Sequence, residues 1–256
     1  MPISTLILLI ILFFLTSIIG VVTGSNSLIT VPVMFQFRID EKVAVATNMF
    51  GLTFMSIGGA IPFIRQDRIE YRKLSPLIVL TIISSALGAM LVGLITNQSL
   101  KLIVSIAMIA VAAFTLVKRD PAATISKEMP RSAFVITCIL TFLLGVYGGM
   151  YSGGYVTILT AVYVAFFGMS FTEAVGSTKL INVFSSLIAT IVFMYQRLID
   201  YKLGIILGAT MFIGAYVGAH YATKMNDIWL KRIFLATVFL LAIKTLYDLS
   251  GVFVLR

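Results

Sequence analysis

One lysine of this sequence lies where its charge could hold a ligand inside an apolar segment. Lys179 is six residues into the hydrophobic stretch that opens at Glu173, roughly 9 Å along a helix axis. Ser177, Thr178 and Asn182 cluster around it. A lysine near a span end can also extend its side chain back to the interface. Because ionisable residues inside membranes are functional by default, we interpret Lys179 as an anion ligand.

Two breaks of small residues form a second candidate feature. The first contains Gly24, Ser25, Asn26 and Ser27, and the second contains Gly148, Gly149, Ser152, Gly153 and Gly154. Backbone N–H groups at the start of a half-helix bind anions, helped by the helix dipole. Glycines that let helices pack closely are the alternative explanation. Each break is followed by a polar helix start, at Thr47-Asn48 and at 177–179, so we expect one shared central site.

An enzyme is a minor alternative. Ser152-Gly153 and the single histidine, His220, are a pair that an intramembrane serine protease could use. However, Met150 stands two residues before the serine, and His220 lies near a span end, where an interfacial histidine is common. No HExxH motif and no paired intramembrane aspartates occur. We therefore expect no enzymatic activity, no metal and no cofactor.

Composition sets the class of protein that must position these residues. Of 256 residues, 60% are hydrophobic and 11% are charged, and the mean hydropathy is +1.08. Soluble domains are about a quarter charged, so these values exclude a soluble globule and predict an all-α polytopic membrane protein. In a membrane protein, basic residues in short cytoplasmic loops account for a net charge of +9, so this charge implies no nucleic-acid partner. The expected location is the prokaryotic plasma membrane.

Eight apolar stretches are long enough to cross a bilayer. They cover residues 3–23, 43–64, 74–95, 102–117, 132–150, 174–194, 203–222 and 233–249. Two further apolar pieces, Leu28–Phe37 and Tyr155–Phe167, are too short to be counted as spans, and each follows one of the breaks. This pattern predicts a discontinuous or re-entrant segment in each half. The first stretch has no cleavage site, so we expect it to be retained as a span.

The chain matches itself at a shift of 130 residues, which indicates a duplication. Residues 44–117 align without a gap with 174–247, and the polar loop at 66–72 matches the loop at 196–202. We therefore predict a first repeat at 1–117, a basic cytoplasmic linker at 118–131 and a second repeat at 132–256. Each repeat would hold four transmembrane helices.

The distribution of Lys and Arg predicts the orientation. Residues 65–73 and 118–131 each carry four bases, whereas 96–101 carries only Lys101. With four spans per half, both basic loops and both termini are cytoplasmic, and the loops at 38–42 and 168–173 are external. Counting the short pieces as crossings gives five spans per half and inverted repeats, which the charges leave open because 222–232 holds three bases.

At these motifs the sequence resembles the sulfite exporter TauE/SafE family, also called the 4-toluene sulfonate uptake permease family. The resemblance covers nearly the whole chain. It rests on the glycine-rich break and proline at 20–32, the helix starts at 45–48 and 175–179, the loops at 68–72 and 198–202, and the Gly-Ala element at 214–219. The resemblance implies transport of small sulfur-containing or organic anions such as sulfite, sulfonates or thiosulfate.

The sequence-level hypothesis is therefore an exporter that works by alternating access. Its anion would be held between the repeats by Lys179, the hydroxyls of Thr47, Ser177 and Thr178, the amides of Asn48 and Asn182, and the backbone of the breaks. The partners expected are a small anionic substrate and the lipid bilayer, and the oligomeric state is left open. An anion channel, and less so the Ser152/His220 protease, are the alternatives.

Overall fold

The computed structural model describes residues 3–24, 26–66, 69, 71–100, 102–104, 106, 131–226, 228–230, 232 and 236, and these residues form helices and short connections without strands. The helices are α1 (Ile3–Thr23), α2 (Ser27–Gln36), α3 (Glu41–Arg65), α4 (Tyr71–Leu94), α5 (Arg131–Met150), α6 (Tyr155–Phe166), α7 (Phe171–Tyr195) and α8 (Tyr201–Ala222).

Six of these helices, α1, α3, α4, α5, α7 and α8, are long and apolar enough to cross a membrane. They coincide within a few residues with six of the predicted spans. The shorter α2 and α6 coincide with the two predicted short pieces. The spans predicted at 102–117 and 233–249 lie mostly outside the described residues, although 102–104 and 228–230 are helical. The all-helical, multi-pass class is confirmed.

Side chains cap three of the long helices where they begin. Asp40 accepts hydrogen bonds from the backbone N–H groups of Lys42 (3.0 Å) and Val43 (3.1 Å) at the start of α3. Ser170 and Glu173 form a reciprocal capping box at the start of α7, and Asp200 caps α8. Such caps stabilise a helix end by about 0.5–2 kcal/mol and keep its first turn from fraying.

The helices α3 and α8 pack side by side and run in the same direction. Gly204 of α8 lies against Thr47 of α3, and further along Gly58 of α3 lies against Phe212 of α8. A hydrogen bond of 3.0 Å joins the Asp200 backbone nitrogen to the Thr47 hydroxyl at the start of both helices. In contrast, α3 and α7 are antiparallel, because Thr53 contacts Thr190 at 3.1 Å while residues 56 and 182 meet further along α3.

Two pairs of glycine contacts give the directions of the remaining long helices. Along α8, Gly214 lies against Phe14 and Gly218 against Ile18, so α1 and α8 are parallel. Along α5, Gly145 lies against Ser84 and Gly149 against Ser85, so α4 and α5 are parallel. Ser85 also contacts Ser185 at 2.7 Å, while Gln196 reaches the Ala89 carbonyl, which makes α7 parallel to α4.

These directions correct the predicted topology. Helices α1, α3 and α8 run one way and α4, α5 and α7 run the other, whereas four alternating spans per half would make α1 and α3 antiparallel. The chain must therefore return between α1 and α3 and between α5 and α7, where α2 and α6 lie. The loops at 38–42 and 168–173 are consequently on opposite faces, and the prediction that both are external is wrong. The length criterion failed because half of the residues of α2 and most of those of α6 are buried in protein, and such helices need not match the thickness of a bilayer.

Backbone features recur at the 130-residue shift. Helix α3 covers 41–65 and α7 covers 171–195. The positive φ of Gly24 (69°) recurs at Gly154 (74°), and that of Arg38 (59°) recurs at Gly168 (67°). The shared landmarks thus extend from the breaks to the ends of these long helices.

Candidate functional site

The two helix breaks meet each other inside the protein. Gly24 follows α1 and Gly154 precedes α6, and both adopt the left-handed conformation that glycine tolerates best. Gly24 lies so close to Val156 that an added Cβ would be 2.6 Å from the Val156 Cβ. The Thr157 hydroxyl donates to the Thr23 carbonyl (2.6 Å), and the Tyr151 hydroxyl donates to the Ser27 carbonyl (3.0 Å). The breaks therefore form a single buried junction.

A small cavity lies at this junction. It has room for about one water molecule. Its lining residues come from both breaks and from the middle of α3 and α7: Gly20, Gly24, Asn26, Ser27, Leu52, Met55, Ser152, Val156, Lys179 and Asn182. Two pairs of these residues, Asn26 with Val156 and Leu52 with Asn182, are related by the 130-residue shift. The cavity thus lies between the two halves of the chain.

Lys179 is the charged residue of the cavity wall. Its side chain is 2% exposed, and its Nζ atom donates a 3.1 Å hydrogen bond to the Gly20 carbonyl. Gly20 is in the last turn of α1, where the helix dipole places partial negative charge. No aspartate or glutamate is among the buried residues in the described part of the chain. The lysine is therefore held by a backbone carbonyl at a helix end.

The two short helices begin at the junction without side-chain caps. Asn26, at the N-cap of α2, makes no capping hydrogen bond, and the N-cap of α6 is Gly154. This contrasts with α3, α7 and α8, whose first turns are capped by Asp40, Ser170 and Asp200. Uncapped first-turn N–H groups and the positive end of the dipole attract anions. The cavity thus has a cation and two helix N-termini around it.

Two asparagines in the cavity wall carry unpartnered amide atoms. Asn26 is 3% exposed, and neither its Oδ1 nor its Nδ2 atom has a hydrogen-bond partner. Asn182, also 3% exposed, donates from Nδ2 to the Ser56 hydroxyl (2.6 Å), and its Oδ1 atom is unpartnered. Because a buried polar atom without a partner costs about 1–3 kcal/mol, these atoms are available to hydrogen-bond a water molecule or a polar ligand.

The structure brings five of the twelve predicted site residues to the cavity: Gly24, Asn26, Ser152, Lys179 and Asn182. Ser25 lies outside the described residues. Gly153 and Gly154 complete the second break behind Ser152. The other four predicted residues have buried side chains but do not line the cavity: Thr47, Asn48, Ser177 and Thr178.

Three of these four have other roles. Thr47 accepts from the backbone of Asp200. Thr178 contacts Thr160 at 3.1 Å. Asn48 donates to the Ser27 hydroxyl (2.9 Å), so it contacts a residue that lines the cavity without lining the cavity itself.

Four lining residues were missed at the sequence level: Gly20, Leu52, Met55 and Val156. Ser27, which also lines the cavity, is part of the first break. Leu52 and Val156 could have been found from the 130-residue shift, because they match Asn182 and Asn26. Gly20 and Met55 carry no polar group, and only the packing of α1 against α3 and α7 places them here.

The geometry does not assemble the protease alternative. Ser152 is buried in the cavity wall, whereas His220 is exposed near the end of α8 and stacks on Tyr216 with ring centroids 6.5 Å apart. No hydrogen bond joins Ser152 to His220 among the residues that the structure describes. A nucleophile needs a base within hydrogen-bond reach, and this pair lacks that arrangement.

Comparison with known proteins finds one matching family and several relatives that are named as probable membrane transporters. A family model described as "Sulfite exporter TauE/SafE" matches residues 9–245. A Sinorhizobium protein named "Probable membrane transporter protein ORF9" is 26% identical over 92% of this chain and 90% of its own length. The Escherichia coli K12 "Probable membrane transporter protein YfcA" is 23% identical over 96% and 92%, and the Bacillus subtilis "Probable membrane transporter protein YdhB" is 25% identical over 88% and 94%. No solved structure matches the chain.

Proposed function

We propose, from the premise that the chain belongs to the sulfite exporter TauE/SafE family of membrane transporters, that it exports small sulfur-containing or organic anions such as sulfite, sulfonates or thiosulfate. The cavity at the junction of the two breaks is the proposed substrate site. The names of the chain's relatives give the transporter class, and the chemistry of the cavity supports an anionic substrate.

The observation that carries the proposal is the environment of Lys179. Burying an ammonium group is costly unless it is paired, and among the described residues its hydrogen-bond partner is the Gly20 carbonyl, which carries no full charge. An anion in the cavity would supply the missing countercharge. Ser27 and the uncapped starts of α2 and α6 would add hydrogen-bond donors around the same ligand.

The architecture that we propose consists of two inverted repeats, 1–117 and 132–256, joined by the linker 118–131. Each repeat would pass the membrane five times, with α2 or α6 providing the short return passage. The opposite directions of α3 and α7, which share the 130-residue shift, support this arrangement. Inverted repeats with broken helices around a central site are a common transporter design.

The basic residues then identify the cytoplasmic face, which in this arrangement carries the loops 65–73, 118–131 and 222–232. These loops hold eleven Lys and Arg: Arg65, Arg68, Arg72, Lys73, Lys118, Arg119, Lys127, Arg131, Lys224, Lys231 and Arg232. The opposite loops hold five: Arg38, Lys42, Lys101, Arg197 and Lys202. By the positive-inside rule both termini would be external, in a prokaryotic plasma membrane.

Transport would occur by alternating access. The cavity in this state has room for about one water molecule, so a larger anion enters only after the helices separate. Matching contacts hold the helix ends at the two faces: Gln66 donates to Thr223 (2.9 Å) at one, and Asp200 donates to Thr47 at the other. A potential negative inside favours anion exit by about 2.3 kcal/mol per charge per 100 mV, so export needs no coupling ion.

The test is anion flux in proteoliposomes made with the purified protein. We expect saturable sulfite, thiosulfate or sulfonate flux with counterflow, and a loss of at least tenfold in Lys179→Met, because methionine keeps the side-chain length and removes the charge. Lys202→Met, at an exposed lysine outside the cavity, is the matched control and should keep full flux.

Two results would contradict the proposal. Unchanged flux in Lys179→Met would show that the lysine does not bind the substrate. Flux that rises linearly with concentration and shows no counterflow would indicate a channel.

A further inference from the structure

We propose that the ligand of this cavity carries a hydrogen-bond donor in addition to its anionic group, so that the protein selects hydroxyl-bearing anions over equally charged anions that lack the hydroxyl. The inference rests on the proposed function and narrows its substrate class. It follows from the amide oxygens in the cavity wall, which accept hydrogen bonds and therefore cannot pair with the oxygen of an anion.

Asn26 gives the strongest support. Both atoms of its amide are buried and unpartnered, so the group offers one N–H₂ and one carbonyl oxygen to the cavity whichever way the amide is turned. The N–H₂ suits an anion oxygen. The carbonyl oxygen needs a donor, and an anion without a proton leaves it unpaired.

Asn182, which also lines the cavity, adds a second acceptor. Its Nδ2 donates to Ser56, and its Oδ1 has no hydrogen-bond partner. Lys179 donates to Gly20 and to neither of these two amide oxygens, which have no partner. Two unpaired carbonyl oxygens beside one ammonium group match a ligand that has both acceptor and donor groups.

The apolar part of the wall limits the rest of the ligand. Leu52, Met55 and Val156 line the cavity beside the amides. Once the helices separate to admit a larger anion, these side chains would contact a short carbon segment between an anionic head and a hydroxyl. The chemical class is therefore a small hydroxy-substituted sulfonate or carboxylate.

The experiment compares ligand pairs of equal charge on the full-length reconstituted protein. The pairs are ethanesulfonate with 2-hydroxyethanesulfonate, and acetate with hydroxyacetate, each measured by competition for anion flux. We expect the hydroxylated member to bind about tenfold or more tightly, because an unpaired buried acceptor is costly. Affinities within twofold of each other would overturn the inference, including the case in which a resident water satisfies Asn26.

The variant Asn26→Leu tests the assignment to one residue. It keeps the number and branching of the side-chain heavy atoms and removes both amide groups. We expect it to weaken binding of both members of each pair, the hydroxylated member more, and so to reduce the preference to about twofold. Asn97→Leu, at an asparagine outside the cavity, should keep the preference. A preference retained in Asn26→Leu would overturn the assignment, and the ligand pairs decide the matter in the unmodified protein if this variant does not fold.

The result separates this inference from the proposed function. If the protein transports neither sulfite nor thiosulfate nor any anion of the two pairs, the proposed function itself fails. If both members of each pair compete equally, anion transport stands and only the selection for a donor fails.

Discussion

The Nζ atom of Lys179 and the carbonyl oxygen of Gly20 lie 3.1 Å apart, and this contact connects α7 of one half to the last turn of α1 of the other. The same carbonyl also accepts from the Gly24 backbone nitrogen at 2.8 Å. Gly20 therefore keeps a hydrogen bond when the lysine leaves. An anion can attract Lys179 away from α1 without leaving an unpaired carbonyl behind.

This relationship predicts that Lys179 contributes to function and not to folding. In Lys179→Met we expect a thermal unfolding temperature equal to or above that of the unmodified protein, because the change removes a buried cation and leaves the Gly20 carbonyl paired. The measurement is a thermal unfolding curve in detergent beside the flux assay. A fall in unfolding temperature that parallels the loss of flux would indicate a structural role.

Sequence reasoning located the elements well but not their directions. Six spans and both breaks follow from hydropathy and small residues, because a bilayer imposes length and apolarity on a helix. The direction of α3 relative to α1 depends on α2, which has ten residues and is too short to be counted as a membrane span by its length. Packing likewise decided which polar residues reach the cavity: Asn182 does, whereas Thr178 one turn earlier turns to Thr160.

The parallel directions of α3 and α8 predict which loops share a face. In a Cys138→Ala background, cysteines at Arg38 and Lys202 should both react with an impermeant thiol reagent added outside the cell, and a cysteine at Lys224 should not. All three positions are exposed. Four alternating spans per half would instead make positions 38 and 224 react and position 202 not. That pattern would refute the inverted arrangement.

The close approach of helices at two glycines predicts large losses of stability. A Cβ at Gly88 would overlap the Val146 carbonyl oxygen of α5, and a Cβ at Gly218 would overlap the Ile18 carbonyl oxygen of α1. We expect Gly88→Ala and Gly218→Ala each to destabilise the protein by about 1–3 kcal/mol or more, since neither backbone can move independently. Gly93→Ala is the control, because its added Cβ meets only the flexible end of Gln196. Equal unfolding temperatures for all three variants would contradict the packing.

We expect Asn48, which does not line the cavity, to position Ser27 in the cavity wall. Its Nδ2 atom donates to the Ser27 hydroxyl (2.9 Å), and its Oδ1 atom accepts from the Thr30 hydroxyl (2.8 Å), so it fixes the first turn of α2. Asn48→Leu removes both bonds and frees Ser27, which lines the cavity. We expect KM for the transported anion to rise about tenfold, as the loss of about 1.4 kcal/mol of buried hydrogen bonding allows, with a smaller change in maximal flux.

A matched variant distinguishes this positioning role from a general loss of stability. Thr53→Val removes the buried 3.1 Å contact with Thr190, and neither residue lines the cavity. Both Asn48→Leu and Thr53→Val lose buried hydrogen bonding, so both should lower the unfolding temperature. Only Asn48→Leu should raise KM, because only its bonds end on a residue of the cavity wall. Equal KM increases in the two variants would mean that Asn48 acts through overall stability and that Ser27 does not need it.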